Sequence, residues 1–365
     1  MQNPSQPDLP FDALLVLSFG GPEGHPDVRP FLENVTRGRG IPAHRLDEVE
    51  EHYHHFGGKS PLNDLNREMI ANIEAELQRR NIALPVYFGN RNWHPLATDT
   101  ATVMAEQGVR RALVFATSAW AGYSGCRQYH EDIARMREHL AAAGAPEIEM
   151  VKIRQFFDHP RFVEATVKEV DLARAKLPVE QQPGARLIFT AHSIPLSMDA
   201  ASGQPADGSL YSTQIDHACK LVAAASGFDS YDLVWQSRSG PAHVPWLEPD
   251  VVDHVESLAK HHDFSAAVVC PIGFLSDHIE VVWDLDSELQ QEAEQFGVLI
   301  ERAPTVGHLP EFAAMVVDLI EEQLTGVGDT SEHGVAVHGC SRNGAPCATN
   351  CCVPQRPTGR PPSAQ

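Results

Sequence analysis

The 365-residue sequence is poor in basic side chains. It has 28 Lys and Arg against 49 Asp and Glu, which gives a formal net charge of −21. Nucleic acids and anionic membrane surfaces select basic patches, so this composition argues against both as partners. The same charge is compatible with attracting cations.

Long hydrophobic runs are also missing. No stretch approaches the roughly 20 apolar residues of a membrane span, so we expect no integral membrane segment. The first seven residues have neither a basic region nor an apolar core, which predicts no signal peptide and a cytoplasmic location. In a reducing compartment, the seven cysteines are expected to be thiols or metal ligands and not disulfides.

Two nucleotide-binding signatures are absent as well. No Gly-x-Gly-x-x-Gly and no Walker-type loop occurs in the chain. These glycine-rich turns let backbone amides approach phosphate groups closely, and a nucleotide role therefore lacks its usual marker.

Apolar strand-like runs alternate with helical patterns through most of the chain, and this alternation implies parallel sheets with right-handed crossovers. We predict an α/β fold with two Rossmann-like domains, each a four-stranded parallel sheet flanked by helices, and an active-site cleft between them. The predicted units are an N-terminal extension (1–10), a first domain (11–155), a second domain (156–325) and a Cys-rich tail (326–365). The predicted strands are 13–17, 85–88, 112–116, 149–153, 186–191, 233–236, 266–271 and 298–301.

A line of carboxylates follows the seventh predicted strand. Ser276 and Asp277 are suited to cap a helix there. Glu280, Asp284 and Glu288 then recur every four residues, beside an apolar stripe with the same spacing. Such a line is commonly a solvated helix face, but at the carboxyl end of a strand it is also suited to pass a hard divalent cation inward.

A second strand end carries a histidine. The apolar run 187–191 ends at His192, and Pro195 then blocks its continuation. A single histidine at such a position is commonly structural. A histidine and a glutamate, His192 and Glu280, at two strand ends of one sheet are a better candidate for proton or metal chemistry.

The tail holds four cysteines in a Gly- and Pro-rich segment that cannot bury a core. Their spacing, with six residues between the first two and three or four before the third ligand, is a poor zinc pattern, because zinc sites usually contain Cys-x-x-Cys. A [2Fe–2S] cluster needs four thiolates. The four tail cysteines are Cys340, Cys347, Cys351 and Cys352.

Six motifs together resemble the ferrochelatase family, in its order and spacing, over about residues 11–325. The segments 36–40 and 123–126 and the Cys-rich tail resemble the actinobacterial branch. That resemblance implies a lyase that inserts Fe²⁺, its substrate metal, into coproporphyrin III to give coprohaem. The six motifs are Leu17–Pro22, Gly57–Pro61, Thr190–Pro195, Val234–Ser237, Pro245–Pro249 and Gly273–Val281.

The resemblance also assigns the metal-handling residues. His192 and Glu280 match the catalytic pair of the family, and both are implied to contact the metal. Asp284 and Glu288 match the acidic line that leads to this pair. The sequence leaves open whether His192 accepts protons or delivers the metal.

Further residues match porphyrin-contacting positions. Arg37, together with Arg39, lies in a loop suited to bind propionates in bidentate fashion, although a solvated loop is the plain alternative. Phe19 departs from relatives that carry a tyrosine at this position. Since phenylalanine has no donor atom, it cannot serve as a ligand to the product iron. The remaining matches are Tyr53, Ser60 and Tyr129.

The resemblance implies a [2Fe–2S] cofactor held by Cys126 from the body and three tail cysteines. These are Cys340, Cys347 and one of Cys351 and Cys352, of which the spacing of relatives favours Cys352. The tail would then fold back beside Cys126. The alternative is a disordered tail with reactive thiols.

Two other functions remain open. A protoporphyrin IX ferrochelatase would share the chemistry and differ only in its substrate. A porphyrin or haem carrier would bind the ring without inserting metal, but it would need no cation path. As partners besides coproporphyrin III and Fe²⁺, the resemblance suggests the downstream coprohaem decarboxylase.

Overall fold

The computed structural model describes residues 9–38, 40–204, 208–240, 243–261, 264–325 and 350–353. These residues form two four-stranded parallel sheets, with strand orders β2-β1-β3-β4 and β6-β5-β7-β8. The predicted fold of two Rossmann-like halves is therefore confirmed. The strands are β1 (Ala13–Ser18), β2 (Val86–Asn90), β3 (Arg111–Ala116), β4 (Glu149–Lys152), β5 (Arg186–His192), β6 (Asp232–Gln236), β7 (Ala266–Cys270) and β8 (Leu299–Arg302).

Helices connect the strands and cover both faces of each sheet. Every residue of β1 and of β7 is buried, as expected for continuous apolar strands between helical layers. The α-helices are α1 (His25–Val35), α2 (Ala43–His55), α3 (Leu62–Arg79), α4 (Ala97–Glu106), α5 (Gln128–Ala142), α6 (Pro160–Lys176), α7 (Leu196–Ala200), α8 (Leu210–Ala225), α9 (Val251–His261), α10 (Ile279–Val282), α11 (Leu289–Gln295) and α12 (Pro310–Thr325).

The two halves share one apolar core. Phe115 of β3, Phe162 of α6 and Phe312 of α12 are fully buried in the same cluster, and Phe156 stacks on Phe115 at 5.3 Å between ring centroids. Helix α12 packs against both α3 and α6. Helix α12 therefore fastens the second half to the first.

The carboxyl ends of the two sheets face each other. Asn66 of α3 donates to the Ser18 hydroxyl at the end of β1 (2.9 Å), and the Ser276 hydroxyl, in the loop after β7, donates to Asn66 (3.0 Å). Trp120, just beyond β3, donates from its indole nitrogen to the Gly273 carbonyl in the same loop (2.9 Å). These contacts bring the ligand-binding edges of both sheets together.

The structure also bears on the membrane prediction. Among the described residues, no helix combines the length and the apolar character needed to cross a bilayer.

Candidate active site

The site begins where the second sheet reverses its winding. β5 and β7 are neighbours, while β6 and β8 lie on opposite sides of them, and such a switch point leaves a crevice at the carboxyl ends. His192 is the last residue of β5, and Glu280 lies in α10, which follows β7. His192 Nε2 is 3.8 Å from Glu280 Oε2. The structure thus brings the predicted pair together.

Backbone contacts fix the orientation of the His192 ring. Its Nδ1 lies 2.5 Å from the Ser193 carbonyl oxygen, which can only accept, so Nδ1 carries the proton and donates it. The Tyr211 hydroxyl donates to the His192 carbonyl (2.8 Å) and holds the strand end. In the neutral ring, the Nε2 lone pair is then the one that faces Glu280 and is available to a proton or a metal ion.

A close backbone approach places the loop that leads to Glu280. A Cβ at Gly273 would lie 2.6 Å from the Ala191 Cα, next to His192. Only glycine lets the loop lie this close to β5. The spacing of the pair therefore depends on the missing side chain at residue 273.

The predicted cap of the carboxylate helix is wrong. The helix begins at Ile279, its N-cap is His278 in extended conformation, and no side chain caps it. Ser276 donates to Asn66 instead, and the Asp277 carboxylate pairs with Arg302 (3.1 Å). The two polar side chains thus have long-range partners that a local sequence pattern does not reveal.

A π-helical turn interrupts the carboxylate helix at Trp283–Glu288, between α10 and α11. Such turns are rare and frequently lie at functional sites. Val281, Leu285 and Leu289 are nevertheless fully buried, which confirms the predicted apolar stripe. Asp284 and Glu288 fall within this wider turn rather than on a regular α-helix.

Asp284 is the most perturbed carboxylate at the site. Its pKa is raised to about 7, chiefly by burial and also by the charges of Glu280 and Glu288, while hydrogen bonds from Ser237 and Gln236 oppose the rise. The Ser237 hydroxyl donates to Asp284 Oδ2, and Gln236 donates to the same atom at 3.2 Å. Asp284 therefore changes its charge near neutral pH, within reach of the Glu280 charge.

The two partners of Asp284 are held by the end of β6. Gln236 pairs in register with His192 of β5, and Ser237 follows with a φ of +59°, a left-handed conformation that costs energy for a non-glycine residue. Sequence reasoning gave neither a role, although both lie in a motif at a strand end. Glu288 is less enclosed, and partial burial raises its pKa, with Asp250 and Glu292 adding to the rise.

Helix α2 of the first half covers the start of the carboxylate helix. The His52 ring stacks on Trp283, with 3.7 Å between centroids and an interplanar angle of 6°. The Tyr53 side chain is buried, and burial, reinforced by the Glu280 charge, raises its pKa well above the usual range. Burial lowers the pKa of His278, a neighbour of the pair that sequence reasoning missed.

The structure places two of the predicted porphyrin contacts in one aromatic group. Phe19 follows β1 and is 39% exposed, although its side chain is apolar. Its ring contacts Phe31 edge-on at 6.3 Å, and Tyr53 contacts the same Phe31 at 6.0 Å. Arg37 is exposed beyond the end of α1, and Arg39 lies outside the described residues.

The other two predicted contacts are buried. The Ser60 amide donates to the Pro22 carbonyl (2.9 Å), and its side chain packs against Gly21. The Arg91 guanidinium lies over the Tyr129 ring, with 4.7 Å between the guanidinium carbon and the ring centroid. Each lies beside the carboxyl end of the first sheet without an exposed side chain.

Part of the tail lies against the body near Cys126. Cys126 is buried in the π-helical turn Tyr123–Arg127, and the adjacent Arg127 donates to the Cys351 carbonyl at 2.9 Å. Cys352 is also buried, and its sulfur accepts from the Gly203 amide at 3.1 Å. Cys340 and Cys347 lie outside the described residues.

The described part of the chain has no preformed group of side chains for a metal ion. Within it, no three His, Cys, Asp or Glu side chains converge closely enough to hold a metal ion. His192 and Glu280 form a pair to which, among these described residues, no third side chain of this kind is added.

Comparison with known proteins identifies a family that this chain matches over most of its length. The family model described as Ferrochelatase matches residues 11–324. Coproporphyrin III ferrochelatase from Corynebacterium glutamicum (strain R) is 60% identical, over 94% of this chain and 92% of that protein. The protein of the same name from Nocardia farcinica is 56% identical, over 94% of this chain and 97% of that protein.

A solved structure shares the fold. The structure of SirB from Bacillus subtilis with Fe³⁺ aligns with a TM-score of 0.52 at 12% identity, over 88% of this chain and 96% of that one. At this identity the likeness concerns the fold alone. The family match over most of the chain, with relatives of such high identity, shows that this chain belongs to the ferrochelatase family.

Proposed function

We propose that this chain inserts Fe²⁺ into coproporphyrin III to give coprohaem, with release of two protons. The observation that carries the proposal is the 3.8 Å spacing of His192 Nε2 and Glu280 Oε2 at the switch point of the second sheet. The substrate follows from the relatives at 56% and 60% identity, which are named for this porphyrin.

The chemistry requires two N–H bonds of the macrocycle to break and Fe²⁺ to lose its water. A bent ring exposes a nitrogen lone pair, and contacts at its rim supply the energy of bending. His192 Nε2 is oriented to accept a pyrrole proton, because its Nδ1 is committed to a carbonyl. The Glu280 carboxylate stabilises the imidazolium that forms, and His192 passes this proton to water before the second pyrrole proton leaves by the same route.

The metal path ends at the same pair. We assign His192 and Glu280 as the catalytic pair that contacts the metal, and Asp284 and Glu288 as metal-contacting residues on the approach. Two protein ligands are fewer than Fe²⁺ prefers, so the ion is held loosely and the four ring nitrogens bind it better. A pKa of about 7 lets Asp284 exchange a proton or a cation as the charge at the site changes.

The porphyrin contacts are proposed at Phe19, Arg37, Tyr53, Ser60 and Tyr129. The exposed ring of Phe19 gives an apolar surface at the end of β1, and Arg37 is exposed and suited to a propionate. The buried Tyr53, Ser60 and Tyr129 support the wall that these side chains present.

A [2Fe–2S] cluster remains part of the proposal, with Cys126, Cys340, Cys347 and Cys352 as its ligands. Its support is the Arg127–Cys351 hydrogen bond, which lays the tail beside Cys126, and the amide of Gly203 aimed at the Cys352 sulfur. Hydrogen bonds of this kind stabilise cluster thiolates. When bound, the cluster would link the tail covalently to the body.

We propose the division into domains at residue 155 and the tail from residue 326. We also propose a cytoplasmic location and the downstream coprohaem decarboxylase as a partner, from the sequence and its family resemblance.

Parallel rate measurements test the function. Purified protein is supplied with Fe²⁺ and either coproporphyrin III or protoporphyrin IX under anaerobic conditions. We expect insertion into coproporphyrin III to have the higher kcat/KM. A preference for protoporphyrin IX would contradict the substrate, and binding of both rings without metal insertion would identify a carrier instead.

A further inference from the structure

A pair of histidines outside the proposed active site joins α1 to α2. His25 is the first residue of α1, and His54 lies near the end of α2. Their Nδ1 atoms are 2.8 Å apart, and both side chains are exposed. The His25 backbone lies directly against Gly58, where an added Cβ would be 2.6 Å from the His25 nitrogen.

The surroundings of His54 determine which of its nitrogens is basic. His54 Nε2 lies 3.3 Å from Glu50 Oε1, and a carboxylate oxygen only accepts. Arg29 in turn binds the other oxygen of Glu50 at 2.7 Å. Nε2 of His54 is therefore the protonated nitrogen, and its Nδ1 turns a lone pair toward His25, which donates from its own Nδ1.

This chain of contacts has the form found around metal-binding histidines. A ligating imidazole usually donates its second nitrogen to a carboxylate, which fixes the ring and makes the ligand more basic. The same arrangement occurs here: His54 donates to the Glu50 carboxylate, and Arg29 holds that carboxylate from its other oxygen. His25 completes a two-nitrogen donor set once its proton moves from Nδ1 to Nε2, a tautomer change that releases no proton overall.

The spacing indicates a class of metal. Two bonds of about 2.05 Å at a right angle place their nitrogens about 2.9 Å apart, whereas a tetrahedral angle requires about 3.3 Å. The 2.8 Å between the two Nδ1 atoms is the length of the hydrogen bond that joins them, and it also lies close to the first value, so the two nitrogens need little change of separation to bind a metal at a right angle. Square-planar or octahedral Cu²⁺ and Ni²⁺ adopt right angles and prefer imidazole nitrogen.

The geometry points to His25 and His54 as a peripheral site for a divalent transition metal of tetragonal preference, oriented by Glu50 and completed by water. The surrounding acidic side chains Asp47 and Glu50 favour a cation there. The site is separate from His192 and Glu280, and it stands whether or not the proposed insertion reaction is correct.

Titration of the full-length protein with Ni²⁺ tests the site, with isothermal calorimetry as the readout. We expect His25→Ala and His54→Ala each to lose the same single equivalent of Ni²⁺, and the double variant to lose no more than either one. Glu50→Ala should weaken that equivalent by about 10- to 100-fold. His44→Ala is the matched control, because His44 is an exposed histidine on the same helix.

Anomalous diffraction from Ni²⁺-soaked crystals of the unaltered protein gives an independent readout. A peak within bonding distance of both Nδ1 atoms supports the site. Unchanged Ni²⁺ stoichiometry and affinity in both histidine variants would overturn it, as would a peak that contacts only one of the two rings.

Discussion

His192 presents its Nε2 atom to Oε2 of Glu280 at 3.8 Å, while a backbone carbonyl holds the proton on the opposite nitrogen of the ring. This separation is too long for a direct hydrogen bond, so neither group is committed to the other. A proton or a cation that arrives between them meets a lone pair on one side and a carboxylate on the other.

Replacement of this histidine separates binding from chemistry. We expect His192→Ala to lower the rate of Fe²⁺ insertion by at least about 100-fold, because the oriented proton acceptor is lost. Porphyrin affinity, measured by quenching of porphyrin fluorescence, should change little. His44→Ala should keep both properties, and a near-normal insertion rate in His192→Ala would remove this residue from the mechanism.

The raised pKa of Asp284 makes a prediction about stability. Its folded-state pKa of about 7 lies above the usual value of 3.8, so between these values the folded protein binds the proton more tightly than the unfolded chain does. The free energy of unfolding therefore falls as pH rises from about 4 to 7, by up to about 4 kcal/mol from this group. Asp284→Asn should abolish this contribution to the pH dependence of the free energy of unfolding.

Urea unfolding at pH 5 and pH 8 measures the effect. The variant should gain stability relative to the unaltered protein at pH 8 and much less at pH 5. Asp229→Asn, at an exposed carboxylate, should show no such difference. Parallel pH curves for Asp284→Asn and the unaltered protein would show that Asp284 is an ordinary acid.

The close approach of Gly273 to β5 predicts a steric effect. Gly273→Ala places a methyl group 2.6 Å from the Ala191 Cα, so the loop must shift away from His192. We expect a loss of about 1–3 kcal/mol in the free energy of unfolding and a lower insertion rate. Gly184→Ala is the control, since a Cβ there meets no atom within 4 Å. Equal effects of the two substitutions would contradict the argument.

The tail cysteines predict a visible spectrum. Protein purified without oxygen and with sufficient iron should be brown, and Cys126→Ser or Cys352→Ser should lose the bands. Cys351→Ser should retain them, because the Gly203 amide is aimed at Cys352 and not at its neighbour. Colourless unaltered protein with a full iron supply would exclude the cluster. If Cys351→Ser loses the colour and Cys352→Ser keeps it, Cys351 is the ligand in place of Cys352.

The central strands could be predicted because they are short apolar runs covered by helices, as β1 and β7 show in full, whereas the edge strands β4 and β8 are shorter and only partly buried. His192 and Glu280 could also be placed together, since His192 ends β5, Glu280 follows β7, and these two strands lie side by side. The π-helical turn Trp283–Glu288 could not, because four-residue spacing of Val281, Leu285 and Leu289 suits an α-helix equally well.

Contacts between distant segments account for what the sequence did not reveal. Ser276 and Asp277 look like a helix cap, yet Asn66 and Arg302 bind them instead. Ser237 has no local pattern that marks it as a partner of Asp284, because the two are joined only by the neighbouring positions of β6 and the carboxylate helix. Such pairings depend on the assembled sheet.

The bridge from Ser18 through Asn66 to Ser276 has a mechanical consequence. It spans the opening between the sheets with buried hydrogen bonds. The hydrogen bond from the Trp120 indole to the Gly273 carbonyl is a second connection between the two halves. We expect two lobes joined in this way to keep a fixed separation and not to close about a hinge. A flat ligand bound between them must then bend to fit.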